Sequence, residues 1–173
     1  MKPVLNVCIV LACLLTAGAV FAQAPTVTSS LTAQRVEMVD GKSQLKPAAD
    51  GKPGDVIEYT GNYRNTGAAP VAQLQAVVPV PVGTTLIAGS VMPAAAQAST
   101  DGTTFAAMPL MRSVRQADGS QRRVAVPLAD YRAVRWDIGA LPAAGNTAVS
   151  LRVRIDTPAL ASAAPLVSAT PNP

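Results

Sequence analysis

Ser43-Gln44-Leu45-Lys46 has the Ser-x-x-Lys spacing that, on a helix, sets a hydroxyl nucleophile one turn from a lysine, as in penicillin-binding enzymes. The flanks argue against a helix: Gly41 lies just before, Pro47 follows at once, and neither Ser-Asp-Asn nor Lys-Thr-Gly occurs downstream. The chain contains no histidine, which removes the commonest general base, the Ser-His-Asp arrangement and most zinc sites. Its 10 acidic residues fall mostly in turn-like stretches (Asp40, Asp50, Asp55, Asp101, Asp118 and Asp130), and no spacing brings two carboxyls across a cleft as a glycosidase requires. Asp101-Gly102 and Asp118-Gly119 suit tight hairpin turns with positive φ, whereas calcium needs six or more converging oxygens. Lys42, Lys46 and Lys52 lie in loop-like stretches, which disfavours an internal Lys-to-Asn isopeptide bond. No catalytic residue, cofactor or metal ligand is assigned, and an enzyme is not expected.

One charge pattern remains. Eight of the ten arginines fall between Arg112 and Arg154. If residues 131–138 and 149–155 lie in one sheet, Arg135, Arg152 and Arg154 share its outer face, partly balanced by Asp137. Such a face is either a solvated surface that keeps edges from pairing or a contact for anionic polymers of the envelope. The net charge of +4 suits non-specific attraction to anionic surfaces, but basic residues are not interleaved with stacking aromatics, so a nucleic-acid partner is not expected.

The elements that must position these residues read as strands. In residues 54–67, Ile57, Tyr59, Gly61 and Tyr63 alternate with Glu58, Thr60, Asn62 and Arg64, the period of two of a half-buried strand. The rest of the chain is organised around this stretch. After a short polar lead-in, Thr28, Ser29 and Ser30, residues 31–39 form a first strand of imperfect alternation, expected to be bulged or at an edge, and residues 47–54 are a turn-rich connection. Residues 71–80 place Leu74, Ala76, Val78 and Val80 on one face, and Pro79 and Pro81 send this strand out of the sheet or along an edge. Shorter strands are expected at 103–108, 110–116 and 121–126. Residues 131–138 put Val134, Trp136 and Ile138 inward. After a loop at 139–148, residues 149–155 alternate cleanly with Val149, Leu151, Val153 and Ile155 inward. With aromatics at only 3%, Trp136 is the expected central anchor of a core made largely of Val, Leu, Ile and Ala.

Short strands joined by turn chemistry, with no sustained helical stripe, predict an all-β fold, an antiparallel β-sandwich in a single domain. Ahead of it, residues 1–22 read as a signal peptide: Lys2, an apolar run over 4–20, then small residues. Cleavage after Ala22 is favoured over Ala24, which Pro25 follows; an uncleaved anchor and a lipid-modified Cys13 are the alternatives. Both cysteines, Cys8 and Cys13, lie in this segment, so an exported chain has no disulfide. The domain is expected over residues 23–156, followed by a mostly disordered Ala/Pro/Ser-rich tail, 157–173, with a possible final strand at 166–169.

Gly-Asp-Val-Ile-Glu-Tyr with the following Asn-Thr-Gly, then residues 79–90 (Pro-Val-Pro-Val-Gly-Thr-Thr-Leu-Ile-Ala-Gly-Ser), residues 99–105 around Asp101-Gly102, and residues 131–141 with Trp136, Gly139 and Leu141 resemble the conserved repeat domain of bacterial surface proteins, domain of unknown function 11. The resemblance implies an immunoglobulin-like sandwich in a secreted or cell-surface protein. It departs from the family at Val78, where a polar residue usually stands, and in having one copy. The expectation is a non-enzymatic structural or interaction module of the bacterial envelope, in the periplasm or at the cell surface, working through its surface or a sheet edge. Its partner is an envelope protein or an acidic glycan. The alternatives are a glycan-binding module and an envelope hydrolase.

Overall fold

A computed structural model describes residues 26–158. The signal-peptide reading and the final strand at 166–169 lie outside the described residues. Eleven strands follow one another: β1 (Val27–Val39), β2 (Lys42–Pro47), β3 (Val56–Asn65), β4 (Val71–Pro79), β5 (Thr84–Leu86), β6 (Gln97–Ser99), β7 (Ala106–Ala107), β8 (Met111–Arg115), β9 (Gln121–Ala125), β10 (Ala133–Leu141) and β11 (Asn146–Ile155). A single 3₁₀ turn, Leu128–Asp130, is the one helical piece among the described residues. No helix there is long and apolar enough to cross a membrane.

The strands form the antiparallel β-sandwich that the alternation predicts. One sheet has the order β2-β1-β3-β11-β5 and the other β4-β10-β6-β7, while β8 and β9 pair only with each other. The stretch expected to organise the chain, β3, is the central strand of the larger sheet, flanked by β1 and β11. Its alternation has the physical consequence it should: Ile57 and Gly61 are buried on the inner face while Asn62 and Arg64 are exposed on the outer. Ile57, Val149, Leu151 and Val153 of one sheet meet Ala76, Val78, Val134 and Trp136 of the other in one core cluster. Burying a Val or Leu side chain contributes roughly 1.5–3 kcal/mol, so this seam supplies most of the drive to pair the sheets. Trp136, 1% exposed, also donates its indole N–H to the Pro93 carbonyl at 2.7 Å.

Several local expectations change. Residues 27–30, read as a lead-in, belong to β1, which pairs with β3 along one side. Nor is β1 simply an edge strand: residues 34–39 are covered by β2, a strand that runs through the Ser-x-x-Lys stretch and was read as a loop. Asp40 and Gly41 both have positive φ, the two-residue hairpin turn that an Asp-Gly pair favours and that returns the chain along β1. Strand β7 is only two residues, because the loop before it is tied down by Asp101. The loop before β11 shrinks to four residues, Pro142 to Gly145, as β10 continues to Leu141 past a bulge. Ile138 is the extra residue between the pairs of Asp137 with Gln75 and Gly139 with Leu74, which leaves it half-buried, and a second irregularity, at Gln73 with its positive φ, follows between Gly139 and Leu141. As expected from Pro79, β4 is an edge strand.

Candidate functional site

The three arginines singled out from the sequence do not share a face. Strand β10 lies in the four-stranded sheet and β11 in the five-stranded one, so Arg135 points out from one side of the sandwich and Arg152 and Arg154 from the other. The expectation failed because alternation fixes which way a side chain points from its own strand, not which sheet that strand joins. Arg135 is held in place: its guanidinium bonds the Gln97 side-chain carbonyl and stacks 4.3 Å from the Phe105 ring centroid. Arg152 pairs with Glu58 at 2.7 Å across the β11–β3 ladder, while Arg154 has no ion pair among the described residues. The pairing thus occupies one of the two β11 arginines on this face, which Arg64 of β3 shares.

A charge cluster that the sequence did not reveal sits where β1 and β2 meet. Register sets Arg35 opposite Lys46 and Glu37 opposite Gln44. Arg35 bridges Glu37 and Asp55, and Lys46 reaches the same Glu37 at 2.8 Å. The hydrogen bond from Lys46, reinforced by Arg35, holds the Glu37 carboxyl below its ordinary value. Two carboxylates thus gather round one guanidinium, each neutralised, which fits a surface clasp rather than a proton donor. The Ser-x-x-Lys reading ends here as well, because in a strand residues three apart, Ser43 and Lys46, project to opposite faces.

Two other carboxylates line one cleft, of about 420 Å³, between the loop after β6 and the β8–β9 ribbon: Asp101 and Asp130. Asp101 accepts hydrogen bonds from the backbone N–H groups of Thr104 and Thr103, both at 2.7 Å, and from the Ser99 hydroxyl at 2.7 Å. These donors, Thr104 first, hold its carboxyl far below the usual aspartate range. Asp130 is 3.7 Å from Arg112. Glycoside hydrolysis needs one carboxyl kept protonated near neutral pH, and Asp101 is pushed the opposite way. Its role is the loop: the same bonds close an Asx-type turn, with the buried Ser99 oxygen accepting the Asp101 and Gly102 N–H groups. No cluster of three or more metal-ligating side chains occurs among the described residues.

The remaining feature is a strand edge. Sheets expose unpaired N–H and C=O groups at their edges, and proteins shield them with proline, lysine, bulges or brevity. Strand β4 has Pro79 and the bulge at Gln73; β2 has Lys42, Lys46 and Pro47; β5 and β7 are three and two residues long. Among the described residues, 27–33 of β1 pair with β3 alone, since β2 reaches only as far as Gln34, and they include no proline, charge or bulge. Leu31 is 50% exposed there. The Thr66 N–H donates to the Thr26 carbonyl at 2.7 Å, so alternation aims the even-numbered residues of β1 at β3 and the backbone groups of Val27, Ser29 and Leu31 at solvent. The sequence signal was the run Thr28-Ser29-Ser30, taken for a polar lead-in.

No protein-family model, characterised protein or solved structure matches the chain.

Proposed function

We propose that this protein is an exported, non-enzymatic interaction module of the bacterial cell envelope that engages its partner by strand addition at the open edge of β1. The observation that supports this most directly is that edge: among the described residues, nothing shields the seven-residue stretch 27–33 of β1, whereas β2 and β4 carry proline, lysine or an irregularity. Backbone pairing supplies affinity in strand addition, and side chains alternating along the edge supply selectivity. The signal-like residues 1–22 and the surface-repeat resemblance of residues 54–67 and 131–141 support the location. Contact with an acidic glycan through Arg135, Arg152 and Arg154 loses its geometric support once the three are divided between two faces.

A photo-crosslinking amino acid at position 31, in the full chain expressed in a bacterial host with an envelope, tests the reading. Adducts of higher mass are expected in whole cells, and Ser29→Pro in the same chain should abolish them while leaving the far-ultraviolet circular dichroism spectrum of the folded chain unchanged. Absence of adducts, or adducts indifferent to Ser29→Pro, would overturn it.

A further inference from the structure

Building on the strand-addition reading, we infer that the partner at the β1 edge is a second copy of this chain, paired antiparallel across a two-fold axis at Ser29. Three observations lead there. The first is register. Among the described residues, Val27, Ser29 and Leu31 present backbone groups that face away from β3 and lie clear of β2, whose last residue, Pro47, stands opposite Gln34. An antiparallel partner centred on Ser29 uses all three, with about six interchain hydrogen bonds from three narrow pairs. Its own Val27 then lies opposite Leu31, three positions short of the place where the chain turns inward at Pro47 and Ala48.

The second observation is what this register puts side by side. On the inner face, Val27 meets Leu31 of the second copy and Ser29 meets its own counterpart. On the outer face, Thr28 meets Ser30. Apolar residues fall against apolar and hydroxyls against hydroxyls, the pairings that stabilise antiparallel ladders. A two-fold contact requires a patch complementary to itself, and Val-Thr-Ser-Ser-Leu reads so in both directions. It also covers Leu31, which is half-exposed in the single chain. Moving the axis by one residue to Ser30 would bring the second copy's Val27 to Ala33, next to the inward turn of Ala48.

The third is charge. The chain bears a net charge of +4, so two copies repel, yet residues 27–33 contain no ionisable side chain and the repulsion is not focused at the contact. The result is a continuous ten-stranded sheet made of two five-stranded ones.

Cysteine pairing tests the register. With Cys8→Ser and Cys13→Ser, the full chain has no thiol. Thr28 and Ser30 of opposite copies form a non-hydrogen-bonded pair, with Cα atoms about 4.5 Å apart, inside the range a disulfide spans. Thr28→Cys alone and Ser30→Cys alone should remain uncrosslinked under mild oxidation, because neither thiol faces its own copy. An equimolar mixture, dissociated and reassociated, should give the disulfide heterodimer. Light scattering should report twice the chain mass for the parent and one chain mass for Ser29→Pro. No heterodimer from the mixture, or equal dimer from either variant alone, overturns the inference. So does a parent that stays at one chain mass. If cellular adducts at position 31 persist while the purified chain is monomeric, the partner is another protein and strand addition stands; if both are absent, both readings fall.

Discussion

The Asn65 side-chain amide donates to the Leu141 carbonyl at 3.1 Å, joining the end of β3 in one sheet to the end of β10 in the other. The same nitrogen is 3.0 Å from the Pro142 carbonyl and 2.8 Å from that of Ala69, and its oxygen accepts the Gly67 N–H at 2.9 Å. Asn65 is fully buried, so these groups have no water to turn to. Asn65→Ala is expected to cost about 3 kcal/mol, since a buried orphaned polar group costs roughly 1–3 kcal/mol and more than one is created. Asn65→Asp should be worse at pH 7 than at pH 4, because a carboxylate faces carbonyl oxygens and only the protonated acid can donate. Urea unfolding followed by circular dichroism at both pH values measures this.

Trp136 combines volume with one hydrogen bond, and two substitutions separate them. Trp136→Ala is expected to lose about 3–5 kcal/mol through the cavity it leaves. Trp136→Phe retains most of the apolar contact but orphans the Pro93 carbonyl, for a further loss of about 1 kcal/mol relative to a simple change in area. A variant of Trp136→Ala that melts within a degree or two of the parent would contradict the packing seen between the sheets.

Proline scanning along β1 should alternate. Ser29→Pro removes an N–H that faces solvent in the single chain and should be nearly neutral to its fold, whereas Ser30→Pro removes an N–H directed at β3 and should destabilise by about 1–3 kcal/mol. Equal melting temperatures for the two would invalidate the assigned parity of the strand.

The Asp101 carboxyl is held down by the Thr104 and Thr103 N–H groups and the Ser99 hydroxyl. A depressed folded-state value means its contribution is present above the unfolded value, near 3.8, and is lost as the pH falls from there toward the folded value. Stability is therefore expected to decline below about pH 4, and Asp101→Asn should flatten that decline while leaving Asp130 and Arg112 in the cleft. An unaltered acid limb would mean that Glu37 and Asp118, which are depressed in the same direction, account for it instead.

The Arg152–Glu58 pair is partly exposed and should contribute little. A double-mutant cycle with Arg152→Gln and Glu58→Gln is expected to give a coupling of about 0–1 kcal/mol, falling with salt. A larger coupling would make that face a structural determinant.

Where the sequence alternated, the structure could be anticipated. Ile57 to Tyr63 in β3 and Val149 to Val153 in β11 face the core as their spacing required, because side chains on a strand have a period of two and one face must be dry. Asp118-Gly119 was legible as a turn for an equally local reason: Gly119 has φ 83° and its N–H closes onto the Gln116 carbonyl. Proline at position 79 and the place of β4 at the edge of its sheet among the described residues belong to the same class of inference. Composition alone was enough to exclude histidine chemistry.

Other outcomes depended on partners distant in the chain. Arg135 and Arg152 lie in strands of similar pattern, and only the order of strands in each sheet assigns them to opposite sides of the sandwich. Nothing local marked Asn65 as a tie between the sheets, because its partners Leu141 and Pro142 are more than seventy positions away. Thr28 to Ser30 read as a polar lead-in and Leu31 as the start of a strand, and only the end of β2 at Pro47, opposite Gln34, shows that no described strand covers the backbone groups of Ser29 and Leu31. Local periodicity determines the direction of each side chain relative to its own strand, while which neighbours a strand acquires, and which stretch of edge stays open, is decided by long-range pairing once the whole chain has folded.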